Sequence, residues 1–318
     1  MRMKLTFLGT SAGKPTKERN VTALALQMEQ EPQWYLFDCG EGTQHQLLRT
    51  RPSVGKLAAI FITHMHGDHI FGLPGLLASK RMDRAFRPLR IYGPKGIAAF
   101  INCFTDTDAD YLGYDLQIIE YTPGDQFIFE RFRVTVMPLV HSIESHGFLV
   151  KENDTANRLD EAKLRSEGLE PSPLYGELKR GLTVTAGGRV YEPQAYMLEP
   201  FRGRSLLIAG DNAEPSVLGA ALEGLDLLVH ECTYTQAIYD SLVEKQLHTT
   251  ARDLGRAAGA AGVGALIATH ISPRFGRGGP HELSEIEQEI RSAYDGPLFI
   301  AEDFDVFRLG RDRRIERE

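Results

Sequence analysis

Four times along this chain an apolar run ends in a residue able to hold a metal ion. Phe61-Ile62-Thr63 leads to His64, and Met137-Pro138-Leu139-Val140 leads to His141. Leu206-Leu207-Ile208-Ala209-Gly210 leads to Asp211, and Leu266-Ile267-Ala268-Thr269 leads to His270. Runs of this kind read as buried strands. One histidine or aspartate capping one strand means little. Four of them constrain the fold, because strands of packed sheets that end along one edge would bring all four residues together. The first run continues into His64-Met65-His66-Gly67-Asp68-His69, four metal-capable side chains within six residues. A strand could not aim them at one point, since neighbours face opposite sides. A loop turning at Gly67 can. Neutral imidazole nitrogen and charged carboxylate oxygen are a donor set that suits zinc.

Seven ligands exceed what one tetrahedral ion takes, but they suit two. His64, His66 and His141 fall to one ion, Asp68, His69 and His270 to the other, with Asp211 bridging. Two cations roughly 3.5–4 Å apart suit phosphate-ester hydrolysis, because they acidify a water and neutralise charge building on the phosphoryl oxygens. Cysteine takes no part. Cys39, Cys103 and Cys232 are odd in number and form no Cys-x-x-Cys pair, which points to a reducing cytoplasm and away from a cysteine-built site.

The 318 residues allow one large domain with ample core. No apolar run is long enough to span a bilayer, and Met1-Arg2-Met3-Lys4-Leu5 goes straight into a strand without a signal peptide. A formal net charge of −7 is no sign of a nucleic-acid binder overall, though local patches can override the sum. The basic run Lys80, Arg81, Arg84, Arg87 and Arg90 reads as a solvated helix and loop face. Helices are predicted over 73–82, 95–104, 217–224, 251–261 and 284–294, between short strands. From Lys151 to Gly181 charge is dense, apolar periodicity is poor, and Pro171, Pro173, Gly176 and Gly181 punctuate the chain. This stretch reads as an excursion from the main body, a projecting arm.

Taken together, these residues resemble the metallo-β-lactamase superfamily and, within it, the ribonuclease Z family of tRNA 3′-processing endonucleases. The resemblance covers nearly the whole length. His-x-His-x-Asp-His carries the superfamily; three further stretches carry the family. Pro15-Thr16-Lys17-Glu18-Arg19-Asn20 matches the family's Pro-x-Lys-x-Arg-Asn loop, which lies near the tRNA 3′ end, implying RNA contacts for Lys17, Arg19 and Asn20. His230-Glu231-Cys232-Thr233 resembles its His-Glu-Ala-Thr segment with cysteine for alanine. His248 matches the family's general acid, which Glu231 orients. Pro173-Leu174-Tyr175-Gly176-Glu177-Leu178-Lys179-Arg180-Gly181 matches the arm motif Gly-Pro-x-x-Gly-x-Leu-Lys-x-Gly, with Ser172 for the first glycine. The match implies an inserted arm, about 151–186, that clamps the tRNA elbow, with Lys179 and Arg180 at phosphates. Asp38, in Phe37-Asp38-Cys39-Gly40-Glu41-Gly42-Thr43, matches an acid that supports a ligand histidine from behind. One departure stands out: the family usually follows its bridging aspartate with threonine, and here Asn212-Ala213-Glu214-Pro215 follows Asp211.

The resemblance implies an α/β fold, the four-layer αβ/βα sandwich, with two mixed sheets face to face, helices outside and the site at one sheet edge. The whole of 1–318 is then one such domain carrying the arm. It implies a zinc-dependent endoribonuclease with two Zn2+ per subunit, manganese or iron being alternatives. Precursor tRNA would be cut 3′ of the discriminator nucleotide, Asp68 taking the water's proton and His248 protonating the leaving group. Water attacks, not the 2′-OH, so a 3′-hydroxyl and a 5′-phosphate result. A cytoplasmic homodimer without a membrane partner completes the expectation. Two rivals remain: a small-molecule phosphodiester hydrolase on the same fold, and a non-catalytic RNA-binding subunit. The presence of all seven ligands opposes the second.

Overall fold

Alternation along the strands decides where each sheet face looks. Leu36 and Ile60 point one way, into a cluster shared with helices. Phe37 and Phe61 point the other way, onto an aromatic layer between two sheets. The structure, a computed structural model, describes residues 3–28, 31–105, 112–155, 158–277 and 279–318. It divides into two compact units: Met1–Ile128, Val134–Val150 and Ser205–Glu318 form one, and Phe129–Arg133 with Lys151–Arg204 the other.

The eight-stranded sheet runs, in spatial order, Ile315–Arg317, Val306–Leu309, Met3–Gly9, Ala23–Met28, Trp34–Phe37, Leu57–Phe61, Leu89–Gly93 and Leu116–Glu120. Its last four strands are mutually parallel and the rest antiparallel. The seven-stranded sheet runs Leu298–Ile300, Leu266–Thr269, Leu227–Glu231, Ser205–Ala209, Ser145–Glu152, Phe132–Leu139 and Gln126–Ile128. Its first four strands are parallel. Parallel strands end on one side, so Asp38 and His64 leave the first sheet together, and Asp211, Glu231 and His270 leave the second together.

Phe148 of the second sheet meets Phe61 and Phe37 of the first, with ring centroids 5.3 and 5.6 Å apart. Outside the first sheet, Leu73, Leu76 and Leu77 of helix Leu73–Met82 and Ile97 and Ile101 of Ile97–Thr105 cover Leu36, Ile60 and Ile91. Outside the second, Leu254 and Ala258 of Ala251–Ala261 and Ile286 and Ile290 of Leu283–Arg291 cover Leu207, Leu228 and Leu266. A Cβ on Gly255 would lie 2.6 Å from the Ile290 carbonyl oxygen, so glycine permits that close helix pairing. The helix opens on Thr250, whose side chain accepts from Asp253 N, and stops at Gly262 in the left-handed region. These four layers are the expected sandwich. No helix among the described residues is long and apolar enough to cross a membrane.

Two elements differ from the sequence expectation. Ser145–Glu152 is an internal strand that the polar start Ser-His-Gly hides; His146 N donates to Thr63 O and Gly210 N to His146 O, both at 3.1 Å, so its polar backbone is paired. The helix predicted over 217–224 is a 3₁₀ segment, Pro215–Ala221, broken where Gly219 takes φ 42°.

The second unit has its own core of Leu159, Leu164, Leu169, Tyr175, Leu178, Val184, Tyr191 and Tyr196. Helices Glu161–Ser166 and Pro173–Lys179 and a hairpin, Val184–Ala186 with Arg189–Tyr191, build it. The hairpin turns on Gly187 and Gly188, with φ 57° and 79°, the conformation a tight two-residue turn requires. The unit runs past residue 186 because Met197–Leu198 pairs back on Arg158–Leu159, and Arg204 is ion-paired to Glu152 at 2.8 Å. Residues 156–157 of the expected arm lie outside the described residues.

The aromatic layer generates a direct test. Phe148→Ala is expected to cost about 3–5 kcal/mol, a transfer loss plus a cavity. Urea unfolding followed by the fluorescence of Trp34, the single tryptophan and buried in the same unit, reads the shift.

Candidate active site

The chain leaves strand Leu57–Phe61 and crosses Thr63 and His64. It then makes one helical turn, Gly67–Ile70, with extended His66 at its N-cap. The loop expected at Gly67 is therefore a short helix, and the exposed Phe71 ring lies over Gly67, where a Cβ would come within 2.2 Å of it. The turn puts Asp68 and His69 beside each other. His141, Asp211 and His270 arrive from the ends of three strands of the other sheet, His270 with φ 53°.

All seven predicted ligands converge, in two groups. His64 Nε2, His66 Nδ1 and His141 Nε2 meet within 3.1–3.2 Å of their neighbours. Asp211 Oδ2 stands 3.6 Å from His64 Nε2 and 3.7 Å from His141 Nε2. On the other side Asp68 Oδ2 lies 3.5 Å from His69 Nε2 and 3.4 Å from His270 Nε2. Asp211 Oδ1 lies 3.5 and 3.3 Å from those same nitrogens. Each oxygen of one carboxylate thus faces one group. Four donors about 2.0–2.1 Å from a tetrahedral ion stand roughly 3.3–3.4 Å from one another, close to these spacings. His69 Nε2 is buried without a hydrogen-bond partner, as a nitrogen reserved for a metal would be. The groups fit a divalent metal.

Residues behind the ligands fix which nitrogen each ring presents. Asp38 Oδ2 accepts from His69 Nδ1 at 2.7 Å and from Thr63 Oγ1 at 2.9 Å, while Oδ1 accepts from Thr63 N. Thr63 Oγ1 in turn accepts from His64 Nδ1 at 2.9 Å. His141 Nδ1 donates to the Leu247 carbonyl at 2.7 Å. His270 Nδ1 donates to Thr233 Oγ1 at 3.1 Å, whose proton goes to Glu231 Oε2. In all four rings Nε2 is left for the site. Thr63, Thr233 and the Gly13 N–H, which donates to Asp68 Oδ2 at 2.9 Å, are contributions that sequence reasoning missed. The two hydroxyls sit inside stretches already singled out, so proximity to ligands was the available signal.

His248 joins the site from the segment before helix Ala251–Ala261. Its Nδ1 donates to Glu231 Oε1 at 3.0 Å and lies 3.8 Å from Asp211 Oδ2. Burial favours the neutral ring, but the Glu231 charge and hydrogen bond, with Asp211, outweigh it and raise the His248 pKa to about 9. Burial opposes ionisation of Glu231, yet His248 and the bond from Thr233 hold its pKa at about 2. Asp68 is likewise held ionised: burial works against it, and His69 and His270 prevail.

Lys17 stands exposed on its loop. Arg19 departs from expectation: it is buried, and Nη1 donates to Thr10 Oγ1 at 2.7 Å and to the Ala301 carbonyl at 2.5 Å. These bonds brace the loop from inside the fold. Asn20 Nδ2 donates to the Glu41 carbonyl at 2.8 Å, again bracing. Lys179 and Arg180 are exposed at the end of helix Pro173–Lys179 in the second unit.

Because Asp38 holds His69 directly and His64 through Thr63, Asp38→Ala should weaken divalent-metal binding about 10–100-fold. Competition with a calibrated chelator reads this without reference to activity.

A family model described as Anti-Pycsar protein Apyc1 matches residues 3–155. Among solved structures, human tRNase Z, short form, superposes with a TM-score of 0.66 at 28% identity, covering 95% of this chain and 98% of that one. The metallo-β-lactamase fold protein YhfI from Bacillus subtilis gives the same TM-score at 20% identity, covering 97% and 100%, and speaks for the fold. Ribonuclease Z of Marinobacter nauticus is 40% identical over 319 aligned residues, 99% of both chains. Likeness sustained from end to end at that level decides the relationship: this chain belongs to the ribonuclease Z family.

Proposed function

We propose that this chain is a metal-dependent endoribonuclease that removes the 3′ trailer of precursor tRNA, leaving a 3′-hydroxyl on the tRNA and a 5′-phosphate on the trailer. One observation carries the reading: two ligand groups share Asp211, and a Glu231-backed His248 lies 3.8 Å from that same carboxylate. The donor set supports zinc, two ions per subunit, with manganese or iron as alternatives. When bound, the ions supply charge that neutralises the phosphoryl oxygens and acidifies the attacking water.

This chain's residues then divide the proton work. Asp68, ionised, takes the proton of the attacking water. His248 uses Nδ1 on Glu231 and gives its Nε2 proton to the departing O3′. Since water attacks in line with O3′, the 2′-OH takes no part, and the two product ends follow. Lys17 on its loop and Lys179 and Arg180 in the second unit supply phosphate contacts, which explains how a chain of net charge −7 engages RNA. We take the working form to be a cytoplasmic homodimer, the Lys179-bearing unit of one subunit helping to hold the tRNA cut by the other.

An end-labelled precursor tRNA tests the mechanism. His248→Ala should slow cleavage about 10²–10⁴-fold, the usual worth of a positioned proton donor, and Asp68→Ala should abolish it. Cleavage that persists in Asp68→Ala contradicts the mechanism. Lys179→Ala with Arg180→Ala should lower the slope of log affinity against log salt by about 2, one for each phosphate no longer neutralised. An unchanged slope removes both from the RNA interface.

A further inference from the structure

Asn212 follows the shared carboxylate and is fully buried. Its Oδ1 accepts from Val140 N at 3.1 Å and Glu214 N at 3.3 Å, and Nδ2 stands 3.0 Å from His230 Nε2. One proton arrangement satisfies the whole set. His230 Nδ1–H donates to the Glu231 carbonyl at 2.8 Å, so Nε2 is the acceptor that the amide needs. The backbone of Asn212 is engaged on the same side: its N–H donates to Glu231 Oε1 at 2.7 Å, and its carbonyl accepts from Thr249 Oγ1. Glu231 Oε1 thereby receives both Asn212 N–H and His248 Nδ1–H.

The partners belong to two different parts of the site. Val140 immediately precedes the ligand His141. His230 and Glu231 end the strand that backs His248, and Thr249 follows it in sequence. The side-chain amide therefore links the end of strand Phe132–Leu139 to His230, whose neighbour Glu231 backs His248. An amide offers an acceptor and a donor on separate atoms. Alanine offers neither, and threonine offers one oxygen where two separated atoms are used.

We propose that Asn212 is a positioning residue for leaving-group protonation: its side chain sets the spacing between the ligand end at His141 and the Glu231–His248 pair, so that His248 reaches the departing oxygen. The inference rests on the assignment of His248 as proton donor made above. It predicts a dependence on the leaving group, because an alkoxide such as O3′ needs a proton far more than p-nitrophenolate does.

The full-length, zinc-loaded chain is assayed on precursor tRNA and on bis(p-nitrophenyl) phosphate, as parent, Asn212→Ala, His248→Ala and the double variant. Asn212→Ala should lose about 10–100-fold in kcat on precursor tRNA, a fraction of what a positioned proton donor supplies, with little change in KM. Its loss on the p-nitrophenyl ester should be at least tenfold smaller. In the His248→Ala background the same substitution should cost almost nothing further, since coupled residues are not additive. Equal loss on both substrates, or a full additional loss without His248, overturns the inference. Should Asn212→Ala not fold, Asn212→Thr, which keeps most of the volume and one hydroxyl, is held to the same two comparisons. If His248→Ala itself shows no leaving-group dependence, the proton-donor reading fails, and this inference goes with it; dependence in His248→Ala but not at Asn212 sinks the inference alone.

Discussion

The site depends on one carboxylate held where carboxylates are costly. Asp211 is buried at a strand end, with Asp68, Asp38 and Glu231 close by, all four of them largely shielded from water. Taking ionised groups out of water costs several kcal/mol each unless partners compensate. Imidazoles alone compensate only by taking protons, which would spoil them as ligands. A divalent metal held by these groups would offset carboxylate charge and leave the rings neutral. The fold's contribution is to make this crowding rigid: parallel strands from two sheets end at one edge, and hydrogen bonds behind His64, His69, His141 and His270 fix their tautomers.

Much of this was legible in the sequence because strand-end residues are local features. An apolar run and the polar residue that stops it sit next to each other in the chain, so the seven residues that converge could be named and grouped. The two outer helices, 73–82 and 251–261, were equally local, each being one contiguous segment. What escaped depends on partners far away in sequence. Thr63 and Thr233 look like ordinary strand-end threonines until Asp38 and His270 arrive beside them. Arg19 carries the charge expected of an RNA contact, but the Ala301 carbonyl, 282 positions away, claims its guanidinium. Strand Ser145–Glu152 was hidden because its first residues are polar or glycine, and only pairing with Thr63 and Gly210 makes them acceptable inside a sheet.

The second unit shows a different limit of pattern reading. Its composition looks poor in apolar periodicity, yet eight buried side chains assemble a small core from short elements. Short helices and a two-residue hairpin turn give too few repeats for a period to register. Tyrosines carry much of the load, and their hydroxyls are accounted for: Tyr175 and Tyr191 donate to the carbonyls of Leu169 and Glu167. A buried tyrosine with a satisfied hydroxyl packs as well as a phenylalanine while costing nothing in orphaned polarity.

The loop that bears Lys17 is braced at one end by Arg19 and Asn20 and touches the chemistry at the other, through the Gly13 N–H on Asp68. That amide favours the ionised form of Asp68. Any displacement of this loop would therefore change the hydrogen bonding of Asp68 as well as the position of Lys17.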